Sequence, residues 1–259
     1  MKTNLLWQKC IGDILSKGSI SAPRGKKVNE LIGYSYQIEM NDSIITLMSR
    51  GMNYGFMFAE AAWIVSGSNW LDEITPYMSR YKDFSDDGIM LHGAYGPKVA
   101  DQLMYVCNCI ERDFDTRQAV INIWREKPGV SKDIPCTLNM QFIVRNNRLH
   151  TVVNMRSQDA ILGMSYDIFT FSMIANMVRV LLSARGIVVS LGVLHMHIGS
   201  FHIYEEHFEK SQVWIKDYIS VSDVTNLNDI SANLACNSFT PRQLIDSLKS
   251  YAENMKGKK

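Results

Sequence analysis

Apolar residues recur at helical spacing in "NLLWQKCIGDILSKG" (4–18), and the closing glycine marks a stop, so the chain is predicted to open with a helix. A polar loop follows with Arg24, Lys26 and Lys27, a basic cluster that reads as solvated surface. "IGYSYQIEM" (32–40) alternates and predicts a strand. Residues 54–66, "YGFMFAEAAWIVS", are apolar on almost every side and predict a helix with one anomaly, Glu60. A carboxylate among those side chains requires either a wet cavity or a rotation to the helix surface, because burial without a partner is costly.

Residues 67–96 are loop-rich, with one short helix expected near 70–80, and helical spacing resumes over 97–112. "DTRQAVINIW" (115–124) alternates toward a strand, and the turn-rich "REKPGVSKD" follows it. "LNMQFIVR" and "LHTVVNMR" are joined by Asn146 and Asn147 and predict a hairpin, since asparagine tolerates left-handed turn geometry. An apolar helix fits 168–184 and a strand-like region fits 186–204. Thr240 as N-cap, Pro241 at N1 and Gln243 at N3 announce a final amphipathic helix, after which "MKGKK" is expected to fray. Helices and strands alternate irregularly, which predicts a single α+β domain spanning 1–259 around a sizeable sheet.

Composition narrows the function. With 259 residues and 46% hydrophobic content, the chain can bury a core without metal or disulfide support. A net charge of +1 gives no general field for nucleic acid or an anionic membrane, although a local arginine cluster can still hold a small anion. The apolar runs are too short, or too interrupted by Arg179 and Arg185, to predict a bilayer span. Five cysteines without a secretory leader suggest reduced thiols and a cytoplasmic location, and Cys107 and Cys109 lack metal-site spacing. Neither a Gly-rich nucleotide fingerprint nor an HExxH motif is present.

Cys136 stands beside Pro135 at the start of a strand-like segment, where packing and reactivity are both open readings. Its company points to chemistry: Arg156, Ser157 and Asp159 in "MRSQDAILG", Asp167 in "SYDIF", and His202 with Tyr204 in "SFHIYEEH". An arginine can lower a thiol's pKa or hold a phosphate, while the acids and the His/Tyr pair can define the face of a base or sugar.

The ordered blocks "PC", "QF", "NMRSQDAILGMSYDI" and "HIYEEH", with "AEAAWIVSGSN", "AYG" and "DTRQAV" upstream, resemble the thymidylate synthase superfamily over most of the chain. The resemblance implies a large twisted, mostly mixed sheet flanked by helices. It also implies that Cys136 attacks C6 of a pyrimidine nucleotide, so that C5 takes the one-carbon unit of 5,10-methylenetetrahydrofolate. By the same resemblance Glu60 organises water and proton transfers, and Arg156, Ser157 and Arg24 hold phosphate, with Lys26 and Lys27 as alternatives to Arg24. Arg117 is contributed across a homodimer interface in which two sheets pack face to face. Asp159 lies by base and folate, Gly163 is on the folate side, His202 and Tyr204 meet the deoxyribose hydroxyl, and Tyr95 frames the site.

Departures from the family pattern refine the expectation. Where the pattern RSxDxxLGxPFN ends in asparagine, this chain has Asp167. Cytosine reverses uracil's hydrogen-bonding edge, and a protonated Asp, or an ionised one facing N3-protonated cytosine, matches it. The expected substrate is therefore dCMP, and the chain resembles the deoxycytidylate hydroxymethylase branch found in phages that modify their DNA. Water would capture the activated methylene, giving 5-hydroxymethyl-dCMP and tetrahydrofolate. Thr137 replaces the histidine after the nucleophile, Gln118 replaces a second arginine, "SDDGIMLHG" replaces a tryptophan-containing segment, and the tail lacks the apolar valine terminus. The competing readings are a dUMP hydroxymethylase, a thymidylate synthase, a CMP hydroxymethylase and a catalytically silent nucleotide-binding member. No direct binding of nucleic acid or membrane is expected.

Overall fold

Trp7, Cys10, Ile11 and Ile14 recur at the spacing of one helix face, and in the computed structural model they are the buried side of α1 (Lys2–Lys17). The structure describes residues 2–218, 227–236 and 239–257. After β1 (Ser19–Ser21), Arg24 adopts a left-handed φ of 54° inside the turn Pro23–Gly25, and β2 (Val28–Glu39) begins earlier than its alternation suggested. Helix α2 (Tyr54–Val65) is capped by the Asn53 side chain, which accepts from the Phe56 amide. Helix α3 (Leu71–Ile74) and the 3-10 turn Ser79–Phe84 take the place of the single short helix expected there.

Helix α4 (Gly96–Arg112) matches its periodicity, whereas β3 (Val120–Asn122) is far shorter than the alternation over 115–124 implied. Side chains divert that approach into turns: Asp113 accepts from the Asp115 amide and Thr116 from the Gln118 amide. Strands β4 (Thr137–Arg145) and β5 (Arg148–Asp159) form the expected hairpin, with Asn146 and Asn147 at φ 53° and 56°. Helix α5 (Met164–Ser183) starts a turn before the predicted position and leads to β6 (Ser190–Tyr204). Short helices α6 (Phe208–Trp214) and α7 (Leu227–Cys236) had no clear periodic signal, while α8 (Pro241–Asn254) carries the predicted Thr240–Gln243 capping box. Past it, Met255 is buried and Lys256 lies over the Tyr77 ring, so the tail holds structure through there; Lys258 and Lys259 lie outside the described residues.

The fold is α+β. Its sheet runs in the order β1-β2-β6-β5-β4-β3, antiparallel except for the parallel pair β5 and β6. A parallel pair cannot be closed by a tight turn, and α5 supplies the crossover. That helix is apolar on nearly all sides because it is buried between the sheet and α2. Met140, Phe142, Val153, Met155, Met196 and Ile198 face this core. The opposite side of the sheet presents His150, His195 and His197 beside Val152 and Ile143, with no helix over them among the described residues. None of the described helices is long and apolar enough to cross a membrane, and the described residues hold no cluster of three metal-ligating side chains.

Candidate active site

Cys136 lies immediately before β4, where its carbonyl accepts the Arg156 amide at 2.8 Å and continues the ladder toward β5. Its side chain is half-buried, and the Ser157 hydroxyl approaches Sγ at 3.6 Å. Arg156 splints the approach to the cysteine, donating through Nε to the Pro135 carbonyl at 2.9 Å and through Nη2 to the Ile134 carbonyl at 3.0 Å. Nη1 reaches the Ser157 hydroxyl at 3.2 Å, and the guanidinium stands 5.8 Å from the Trp124 ring centroid. The thiol-bearing loop is thus fixed from β5.

Thr137 is buried, and its hydroxyl and backbone amide both donate to the Tyr95 phenol oxygen, at 3.0 and 3.3 Å. Tyr95 precedes α4 as its N-cap residue. Burial pushes its phenol well above the usual range, and the neighbouring Cys136 and Asp167 add to that. The threonine that replaces a polar ring in the family pattern therefore ties the nucleophile's strand to α4.

Two carboxyls share the interior of this region. Glu60 projects from α2, accepting hydrogen bonds from the Tyr81 phenol and from the Thr170 hydroxyl, the latter at 3.4 Å. Burial pushes it up to about 7, with Asp167 also raising it and the two hydroxyl donors opposing. Asp167 lies in the first turn of α5, and its own amide donates to the Gly163 carbonyl; Gly163, not Asp167, is the cap. Burial raises Asp167 to about 6, and Asp159 adds to the rise, while a 2.8 Å hydrogen bond from the Gln158 amide favours its charged form. Both groups therefore titrate near neutrality.

Asp159 ends β5, and its Oδ1 accepts the amides of Ile161 and Leu162 at 2.7 and 3.0 Å; Oδ2 has no hydrogen-bond partner among the described residues. Gly163 follows in a tight approach, where a Cβ would lie 2.9 Å from the Asp159 carbonyl and 3.3 Å from Asp167 Oδ2. His202 is paired with Asp159 in the β5–β6 register, and its ring meets Tyr204 edge-on at 5.1 Å. Arg24 and Arg117 are exposed, and no side-chain hydrogen bond or ion pair joins either to this cluster among the described residues. Sequence reasoning passed over Gln158, Tyr81 and Thr170. Gln158 sits inside the quoted motif and could have been suspected; Tyr81 lies in a segment read as loop and gave no signal.

Tyr95 feels both the Cys136 thiol and the Asp167 carboxyl, and Asp167 in turn raises Glu60, so the half-buried thiol and the two raised carboxyls share one electrostatic neighbourhood, with groups suited to nucleophilic attack and proton transfer. The thymidylate synthase family model matches residues 6–252, and the chain belongs to that family. Among curated proteins it is 28% identical over 230 residues to a deoxyuridylate hydroxymethyltransferase of Bacillus phage SP01, covering 80% of this chain and 58% of the relative. It is also 28% identical over 210 residues to the protein of that name from Pseudomonas phage M6, covering 77% and 55%. A third, from Delftia phage PhiW-14, is 32% identical over 135 residues, covering 46% and 38%. The chain thus spans little more than half the length of the first two.

These relatives are named for deoxyuridylate, which overturns the expectation of a deoxycytidylate hydroxymethyltransferase and the placement in the dCMP branch. The physical reason lies in Asp167. A neutral carboxyl carries one donor and one acceptor, so it can face uracil's O4 and N3–H as an asparagine does. A protonated aspartate that matches cytosine matches uracil as well, so the aspartate by itself does not mark cytosine.

Proposed function

We propose that the chain is a folate-dependent hydroxymethyltransferase that acts on C5 of dUMP to give 5-hydroxymethyl-dUMP and tetrahydrofolate. The observation that carries the reading is the half-buried Cys136 thiol linked through Tyr95 to Asp167, which with Glu60 is a buried carboxyl held above the usual carboxylate range. The three deoxyuridylate relatives support the choice of base.

In this reading the Cys136 thiolate adds to C6 of the pyrimidine, which concentrates electron density at C5. Neutral Asp167 donates to O4 and accepts from N3–H, orienting the ring over the thiol. 5,10-Methylenetetrahydrofolate, when bound, supplies the one-carbon unit. The chain offers such a ligand Asp159, which keeps one carboxylate oxygen unengaged among the described residues, while Gly163 lets the chain turn closely against Asp159 and Asp167. After C5 has given up its proton, Glu60, titrating near neutrality, positions water and takes its proton as the hydroxymethyl group forms, and the electron pair returned to C5 re-forms the C5–C6 double bond and expels the Cys136 sulfur. Arg156 and Ser157, with Arg24, bind phosphate, and His202 with Tyr204 meets the sugar hydroxyl. Arg117 reaches the site of a second copy, across a homodimer formed by the open sheet face.

The test is to incubate the protein with methylenetetrahydrofolate and dUMP, dCMP or CMP separately, and to weigh the nucleotide product. A gain of CH2O on dUMP is expected. Conversion of dUMP to dTMP with dihydrofolate release, or a hydroxymethyl product from dCMP alone, would overturn the reading.

A further inference from the structure

Tyr36, Gln158 and Asp167 form a chain of hydrogen bonds that runs out of the core toward the candidate site. The Tyr36 phenol donates to Gln158 Oε1 at 2.9 Å, and the Gln158 amide nitrogen donates to Asp167 Oδ2 at 2.8 Å. Tyr36 on β2 and Gln158 on β5 are both buried, and the phenol has no other hydrogen-bond partner among the described residues. That isolation gives the chain a direction. Turned the other way, with Asp167 donating to Gln158 and Gln158 to Tyr36, the phenol O–H would be buried without an acceptor, which folded proteins avoid. Gln158 therefore offers its NH2 group to Oδ2 whether Asp167 is charged or neutral, and the proton of the neutral acid resides on Oδ1.

We propose that Gln158, aligned by Tyr36, is a positioning residue that fixes which oxygen of Asp167 carries the proton, and so which pyrimidine edge the site accepts. The inference rests on Asp167 facing the base. A carbon–sulfur bond at C6 would hold the ring in one register, so positions 3 and 4 fall at fixed places against the carboxyl. Uracil presents an acceptor at position 4 and a donor at N3; cytosine presents the reverse. A carboxyl whose proton can move between its oxygens matches either base, whereas one with a fixed order matches a single base. Asparagine has that order built into its covalent structure, and an aspartate needs a neighbour to impose it. Gln158 also stabilises the charged form of Asp167, so its removal raises the pH at which the neutral form is lost.

The experiment compares wild type with Gln158→Leu, Tyr36→Phe, Asp167→Asn and the Gln158→Leu/Asp167→Asn double variant. The readouts are kcat/KM for dUMP and for dCMP with methylenetetrahydrofolate, and the pH profile for dUMP. Gln158→Leu is expected to lower the dUMP-to-dCMP ratio by about tenfold and to move the alkaline limb to higher pH. Tyr36→Phe, which keeps the packing, is expected to lower the ratio in the same direction, and it decides the matter if Gln158→Leu does not fold. The double variant is expected to show the pH profile of Asp167→Asn, because an amide needs no proton. An unchanged ratio and limb in both relay variants, with an altered ratio in Asp167→Asn, would overturn the relay and leave the reading of Asp167 standing. If Asp167→Asn changes neither, the reading fails and the relay with it.

Discussion

Glu60 is the residue at which burial and chemistry meet most directly. Its raised value means that the carboxyl favours the fold while protonated, fully so below the ordinary value near 4.5, and that this contribution is lost as pH rises through about 7. Glu60→Gln is expected to stabilise the protein by about 2 kcal/mol at pH 8 relative to wild type, with little difference at pH 4.5, as read from denaturant midpoints at the two pH values. The same change removes a group that gives and takes a proton, so turnover should fall by about 100-fold or more. A variant as active as wild type would remove Glu60 from the proposed chemistry. At Cys136, replacement by serine should abolish product formation while dUMP still binds, checked by calorimetry alongside the mass assay.

Elements hold these residues in place, and two junctions matter. Gly96 begins α4 directly after Tyr95, and a Cβ there would lie 2.2 Å from the Ser68 carbonyl, a backbone atom that cannot swing aside. Gly96→Ala should cost roughly 1–3 kcal/mol and displace the Tyr95 phenol from Thr137, lowering kcat as well as stability. A thermal scan with steady-state kinetics checks both. The capping box of α8 behaves differently: Thr240 accepts from Gln243 and Gln243 from Thr240, at an exposed helix end remote from the cysteine. Thr240→Ala should cost about 1 kcal/mol with kcat unchanged in the folded protein.

At the scale of the whole molecule, the open face of the sheet is where a second copy would pack in the proposed dimer. His150 and His195 lie on it, and each is held below the usual histidine range, chiefly by burial, with Arg148 and His195 acting on the first and His197 on the second. Depressed values mean that the neutral rings contribute stability above the ordinary value near 6.5, and that this is lost as pH falls through their folded values. A second copy packed on this face would deepen the same preference. Sedimentation is therefore expected to show dimers at pH 7.5 and dissociation toward pH 5.5, whereas a pH-independent monomer would remove the dimer. If Arg117 serves the partner's site, mixed dimers with Arg117→Ala on one chain and Cys136→Ser on the other should fall short of wild type, yet keep one intact site and about half its activity. Activity no better than expected for independent sites would count against sharing.

The sequence by itself determined the helices and strands whose period is strong, because periodicity records which side of an element faces the core. The opening helix, the Asn146–Asn147 hairpin and the Thr240 cap all follow from local rules of spacing, turn geometry and capping. The motif order also gave the family, and Glu60 was visible as an anomaly that needed a polar neighbourhood. Tertiary structure decided what surrounds each group. Tyr81 and Thr170 come to Glu60 from segments 21 and 110 residues away, and Tyr36 reaches Gln158 across 122 residues. The charge state of Asp167 depends on burial and on a donor from a neighbouring strand, neither of which a residue's name carries. That is why the letter at position 167 could not choose the base: a neutral carboxyl suits cytosine or uracil according to which oxygen carries the proton, and its surroundings set both its charge and that order.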